Sequence, residues 1–326
     1  MLQARHLHCR RRVWFFAAPV CRIRVISRGT KFQYSKSMAS HPPEPALDGP
    51  PTVRDPEILP PVDGAVSHGQ AVRRRRTSWT RTPATYLLVG INCAVFAAMV
   101  LRGISPVSPT VEQLMHWGAN NAGNVLIYGE WWRIVTAMFL HVGLLHLGLN
   151  MWCLWNLALL AEPLMGSFGL IAAYILTGAA GNLLSTLINW IWPIHYGGSI
   201  VFPAGAGASG AVFGIAGVLI VLLKSTRLPI PAPELKRLRK SVIYFAVINL
   251  VFGFMISGGN AFLHSGLNID NMAHLGGFSS GLLLAMPMVP RIGSPLSTFQ
   301  TRLRIAVAML TGLLVLFGFY LAQLPR

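Results

Sequence analysis

Charge is what this 326-residue sequence has least of: 11% of its residues are charged, against about a quarter in a typical soluble domain. Hydrophobic residues make up 53%, so the bulk of the chain belongs in a bilayer. Acid is scarcer than base, with 10 Asp and Glu against 27 Lys and Arg, and no acidic residue precedes Glu44. The resulting net charge of +17 could suggest a nucleic-acid partner. Its basic residues, however, cluster between apolar runs and at the N-terminus without interleaved aromatics, which argues against a single-strand binder and makes the charge topological. The four cysteines, Cys9, Cys21, Cys93 and Cys153, have neither paired nor metal-ligand spacing, and the chain calls for no metal and no cofactor.

Residues 1–80 read as a disordered arm, Arg-rich up to Arg28, Pro-rich from Pro42 to Pro61 and ending in Arg73-Arg74-Arg75-Arg76. Its acid-free start reads either as an organellar transit peptide or as sequence ahead of a true start at Met38. The expected domains are this arm, a membrane core over 81–290, and a linker with a last helix over 291–326. Seven apolar segments suit a hydrocarbon core that needs about 20 residues per helix: 84–101, 143–161, 168–188, 205–223, 241–257, 271–289 and 304–322.

Two connections lack basic residues altogether. Trp190 to Pro203 and Ser257 to Asn271 hold no Lys or Arg. Lys224, Arg227, Lys236, Arg237, Arg239 and Lys240 sit between the fourth and fifth spans, and Arg291 and Arg302 between the sixth and seventh. Strict alternation of seven spans puts every basic cluster on one side, which is then cytoplasmic together with the N-terminus. The connection Arg102 to Leu140 falls on the opposite side, where Tyr128, Trp131 and Trp132 suit an interface.

Polar side chains at membrane depth are expensive and therefore informative. If the second span is helical from Phe139, His146 and Asn150 share a face, whereas His141 and His146 lie about 140° apart, which argues against a two-histidine metal site. The second, fourth and sixth spans run in the same direction, so His146, Asn150, Ser209 and His274 reach one depth on the non-cytoplasmic side. Gly207, Gly210, Gly214, Gly277 and Gly281 clear side chains from the facing surfaces, and Phe213, one turn from Ser209, is placed to pack on the imidazole. A serine and a histidine brought within hydrogen-bonding reach can carry out acyl transfer, with His146, Asn150 and the Ser209 amide as oxyanion donors. Asp270 is the nearest carboxylate to His274 in sequence, yet a Ser–His pair without an acid is the simpler reading.

Trp132-Arg133, His141-xxxx-His146-xxx-Asn150, Gly207-Ala208-Ser209-Gly210 and Ala273-His274-xx-Gly277-xxx-Gly281, in this order over residues 80–290, resemble the rhomboid intramembrane serine proteases. The resemblance implies an all-α polytopic bundle of six core transmembrane helices, with the last apolar segment as a seventh. It implies a Ser209–His274 dyad, oxyanion binding by His146 and Asn150, supporting roles for Trp132, Arg133, His141, Gly207, Phe213, Gly277 and Gly281, and a gate over Phe252 to Asn271. The implied partners are the lipid bilayer and single-pass membrane proteins cut in or near their transmembrane segment. Phe213 stands where many bacterial relatives carry Tyr. The six-plus-one order favours a bacterial cytoplasmic membrane, with a plastid membrane as the organellar alternative. An inactive relative that escorts membrane clients is the main rival, though such relatives typically lack the nucleophile or the base. A transporter would spread its polar residues through the full depth.

Overall fold

The computed structural model describes residues 82–224, 231–263, 270–291 and 295–325. The N-terminal arm, the Met38 start, Arg227, His264 and part of the expected gate lie outside the described residues. What is described is nearly all helix: α1 (Pro83–Leu101), α2 (Val111–Trp117), α3 (Ala122–Leu126), α4 (Arg133–Thr136), α5 (Leu144–Ile191), α6 (Ser209–Leu222), α7 (Ala232–Leu263), α8 (Asn271–Ala285) and α9 (Leu296–Ala322). One antiparallel hairpin, β1 (Ile194–Tyr196) and β2 (Ser199–Val201), lies between α5 and α6. Helices α1, α5 and α9 contain stretches long and apolar enough to cross a membrane.

The 48 residues of α5 are two helical arms, because Pro163 stands inside it and Gly166 leaves the helical region at φ 77°, ψ 167°. The arms coincide with the segments expected at 143–161 and 168–188. Glu162 sits at this break and anchors α1. Its carboxylate accepts the Ala84 and Thr85 amides at 2.9 and 2.8 Å, the Thr85 hydroxyl at 2.7 Å and the Ser167 hydroxyl at 2.6 Å. Thr82, at the N-cap of α1, makes no side-chain cap bond and Pro83 has no N–H, so Glu162 supplies from another helix the acceptors that a helix start requires. Farther along, the buried Asn92 donates to the Tyr174 hydroxyl at 3.0 Å, and that hydroxyl donates to the Met138 carbonyl at 3.2 Å.

Several features differ from the sequence expectation. The helix expected from Phe139 begins at Leu144, after a 3₁₀ turn over Ala137–Phe139, an extended Leu140 and Gly143 at φ 133°. The fourth span starts at Ser209 rather than residue 205, since Gly205 pairs with Asn120 and Gly207 takes φ 142°. Helix α7 begins at Ala232, not 241, because Glu, Lys, Leu and Arg are good helix formers. Lys236, Arg237, Arg239 and Lys240 therefore ride on its first turns. The hairpin lies in a stretch read only as a loop; its turn is Gly197-Gly198 with φ 56° and 80°, the paired positive angles of a type I′ turn.

Helices α6 and α8 have 14 and 15 residues. At 1.5 Å per residue they span about 21 and 22 Å, short of a hydrocarbon core about 30 Å thick. Irregular backbone at such depth is tolerated only where protein covers it or where it lines a cavity. Helix α6 itself is enclosed, with every residue from Gly210 to Leu219 buried, while residues 202–207 leading into it are only partly covered.

Candidate active site

The site rests on the contact between α6 and α8. A Cβ on Gly277 would run into the Gly210 carbonyl, and one on Gly281 into the Gly214 carbonyl. On its other side Gly214 lies against the Thr177 side chain of α5. Glycine spacing thus lets two backbones touch where side chains would hold them apart.

That approach delivers His274 Nε2 to 2.8 Å from Ser209 Oγ. The Phe213 ring stacks on the imidazole with centroids 4.4 Å apart and planes 18° apart, and Phe213 in turn lies 6.1 Å from the Phe245 ring of α7. His274 Nδ1 is buried and has no hydrogen-bond partner among the described residues. Asp270 is not its partner: that carboxylate caps α8 by accepting the Ala273 amide at 2.9 Å. The ring is oriented by stacking and by the serine.

His146 approaches from α5. The Val142 amide donates to its Nδ1 at 3.3 Å, which places the ring proton on Nε2 and makes that nitrogen a donor. A Cβ at Gly207 would stand 2.9 Å from His146 Cε1, 3.2 Å from Nε2 and 3.7 Å from Ser209 Oγ. Because residue 207 is glycine, a gap too tight for a methyl group is left open between the imidazole and the hydroxyl. An atom there would meet a ring N–H and the Ser209 hydroxyl together.

Four other expected site residues have different surroundings. Asn150 is buried one turn beyond His146 and spends one amide hydrogen on the His146 carbonyl at 3.0 Å. His141 precedes the helix, so the 140° separation expected from helical geometry does not apply. Its ring centroid lies 5.4 Å from that of His146, and neither of its buried nitrogens has a partner among the described residues. Arg133 is buried in the connection after α1, donating to Glu130 at 2.6 Å and to the Met115 and Ala119 carbonyls at 2.6 and 3.1 Å. Hydrogen bonds from Asn124 and from Arg133 hold the Glu130 carboxyl below the usual carboxylate range. Trp132 is half exposed, with the guanidinium 4.6 Å from its ring centroid. These two residues brace the connection rather than face the serine.

Sequence reasoning missed the bonds that hold the segment entering α6. Asn120 and Gly205 exchange backbone hydrogen bonds at 2.8 Å each, the Asn120 side chain bonds the Asn182 carbonyl and Thr186 hydroxyl, and the Gly207 amide donates to the Ala137 carbonyl at 2.9 Å. No periodicity marks Asn120 in the sequence.

Comparison with known proteins points in one direction. The family profile described as the Rhomboid domain matches residues 128–291. The chain is 31% identical over 237 residues to "Rhomboid protease GluP" of Bacillus subtilis (strain 168), covering 72% of this chain and 40% of that protein. It is 30% identical over 249 residues to "Rhomboid protease AarA" of Providencia stuartii, covering 72% of this chain and 83% of that protein. "RHOMBOID-like protein 1" of Arabidopsis thaliana is 32% identical over 188 residues, 58% of this chain and 41% of that protein. The chain thus spans less than half the length of two of these three relatives.

Proposed function

The chain belongs to the rhomboid family and is an integral membrane protein, and from that premise we propose that it is an intramembrane serine endopeptidase cleaving single-pass membrane proteins in or near their transmembrane segment. The observation that carries this reading is the 2.8 Å approach of His274 Nε2 to Ser209 Oγ beneath the stacked Phe213 ring.

In the proposed reaction His274 Nε2 takes the Ser209 proton as Oγ bonds to the scissile carbonyl carbon. The carbonyl oxygen, now an oxyanion, accepts hydrogen bonds from His146 Nε2–H, the Ser209 amide and the remaining Asn150 amide hydrogen. Donors of this kind contribute about 10²- to 10³-fold each. His274 then gives its proton to the leaving nitrogen, the C–N bond breaks, and the acyl group stays on Ser209. A water molecule, deprotonated by the same imidazole, attacks the ester carbon, and Oγ leaves with the proton returned from His274. No carboxylate takes part.

The same reading gives the chain six core transmembrane helices, the two arms of α5 counting as two, with α9 as the seventh. Basic residues on the N-terminal side of α1 and at the start of α7 support a cytoplasmic N-terminus. The six-plus-one order and the similarity to bacterial relatives support a bacterial cytoplasmic membrane, with a plastid membrane as the alternative.

The test is cleavage of a model single-pass substrate in liposomes by the wild type and by Ser209→Ala and His274→Ala. Each variant is expected to lose at least about 10³-fold in rate while keeping the wild-type melting temperature. Full activity in either variant overturns the dyad. In intact cells, a cysteine placed at residue 236 is expected to resist an impermeant thiol reagent.

A further inference from the structure

We propose that Asp270 is a positioning residue that sets the distance between Ser209 and His274, an inference that rests on the peptidase reading above. The carboxylate touches the approach to both groups. Its Oδ1 accepts the amide of Ala273, the residue next to His274, at 2.9 Å. Its Oδ2 accepts the Ser185 hydroxyl of α5 at 2.5 Å and lies 3.1 Å from where a Cβ on Gly205 would stand. Asp270 is thus four residues ahead of the base and bears on Gly205, four residues ahead of the nucleophile.

Each arm of this contact is supported from behind. Gly205 is held on its other edge by the paired backbone bonds to Asn120. A side chain at 205 would press on the carboxylate and push it aside by a few tenths of an ångström, so glycine lets the segment entering α6 lie directly against it. The first turn of α8 presses on α5: a Cβ on Gly181 would meet the Ala273 carbonyl, and one on Gly276 would come 2.9 Å from the Ala180 carbonyl. The Ser185 bond, itself backed by Asn189 Nδ2 at 3.2 Å, fixes how α8 is rotated on that contact. Rotation of α8 about its axis swings the His274 ring relative to Ser209, and Asp270 is the residue whose side chain caps this helix.

Asp270 makes no bond to the imidazole and pairs with no cation among the described residues. It therefore acts through the backbone, by geometry rather than as a triad acid. Displacing a reacting group by about 1 Å can lower a rate about 10²-fold, which sets the expected scale.

The experiment compares wild type with Asp270→Ala, Asp270→Asn and Ser185→Ala in liposomes. It reads kcat and KM for a single-pass substrate, the rate of Ser209 phosphonylation by a small fluorophosphonate, and the melting temperature. Asp270→Ala is expected to lower kcat about 10²-fold with KM within about twofold, and to slow phosphonylation in step, because that probe reads serine reactivity without peptide binding. Asp270→Asn keeps an acceptor for the Ala273 amide and is expected to recover to within about tenfold of wild type. Ser185→Ala, which leaves the cap intact, is expected to lose about three- to tenfold and decides the matter if Asp270→Ala does not fold. Unchanged kcat and phosphonylation in Asp270→Ala and Ser185→Ala, a pure KM effect, or losses that follow melting temperature with no recovery by Asn would each overturn the proposal. A wild type that neither cleaves nor labels takes down the peptidase reading and this inference with it; an active wild type with unaltered variants overturns this inference alone.

Discussion

Glycine serves two purposes in this molecule, and the same small-residue spacing hides which is which. Between α6 and α8, Gly277 and Gly281 face carbonyl oxygens of Gly210 and Gly214 so closely that no side chain fits. Gly90 in α1, Gly148 in α5 and Gly312 in α9 have nothing within 4 Å of a would-be Cβ. The first set fixes the separation of two helices, and with it the approach of His274 to Ser209. The second occupies open surface that another residue could fill. What a glycine does depends on what stands opposite, and that is settled by the packing of distant segments rather than by neighbours in sequence.

Substitutions can test the contrast. The largest effect is expected from Gly277→Ala and Gly281→Ala. Each added methyl must displace backbone rather than a flexible side chain, an overpacking that destabilises by about 1–3 kcal/mol, and the parted helices should lose at least about 10²-fold in substrate cleavage. Phe213→Ala keeps the backbone contact and removes only the stacked ring; a loss of about two- to tenfold in kcat fits the 0.5–1.5 kcal/mol such pairs contribute, and Phe213→Tyr should stay near wild type. The smallest effect is expected from Gly90→Ala and Gly312→Ala, which should leave cleavage unchanged and raise helix stability by about 0.5–1 kcal/mol. Thermal melting that placed Gly312→Ala beside Gly277→Ala would erase the distinction between the two sets.

Much of the fold was legible because a bilayer demands long apolar helices, and helical segments stand at each of the seven expected positions. The pattern failed where local backbone chemistry overrides hydropathy. Residues 139–143 and 205–208 are apolar or small enough to read as helix, yet Gly143 and Gly207 take positive φ and Gly205 pairs with Asn120. The hairpin did carry a signal, Gly-Gly between Tyr196 and Ser199. The capping box of Thr110 and Gln113 carried one too. Ser209, His274, His146 and Phe213 were picked out because polar or aromatic groups recurred at one depth. Asn120, Ser185 and the anchoring role of Glu162 were not, since each depends on a partner more than 60 residues away.

The six residues 202–207 leading into α6 have a last consequence. Hydrolysis consumes one water molecule for every bond cut, and an acyl-enzyme surrounded by lipid would otherwise persist as a dead end. Residues 202–207 are only half covered, and Ser209 itself is partly exposed. The short helix leaves the Ser209 hydroxyl beside a partly exposed stretch of irregular backbone, which on the peptidase reading gives water a way in to the acyl-enzyme.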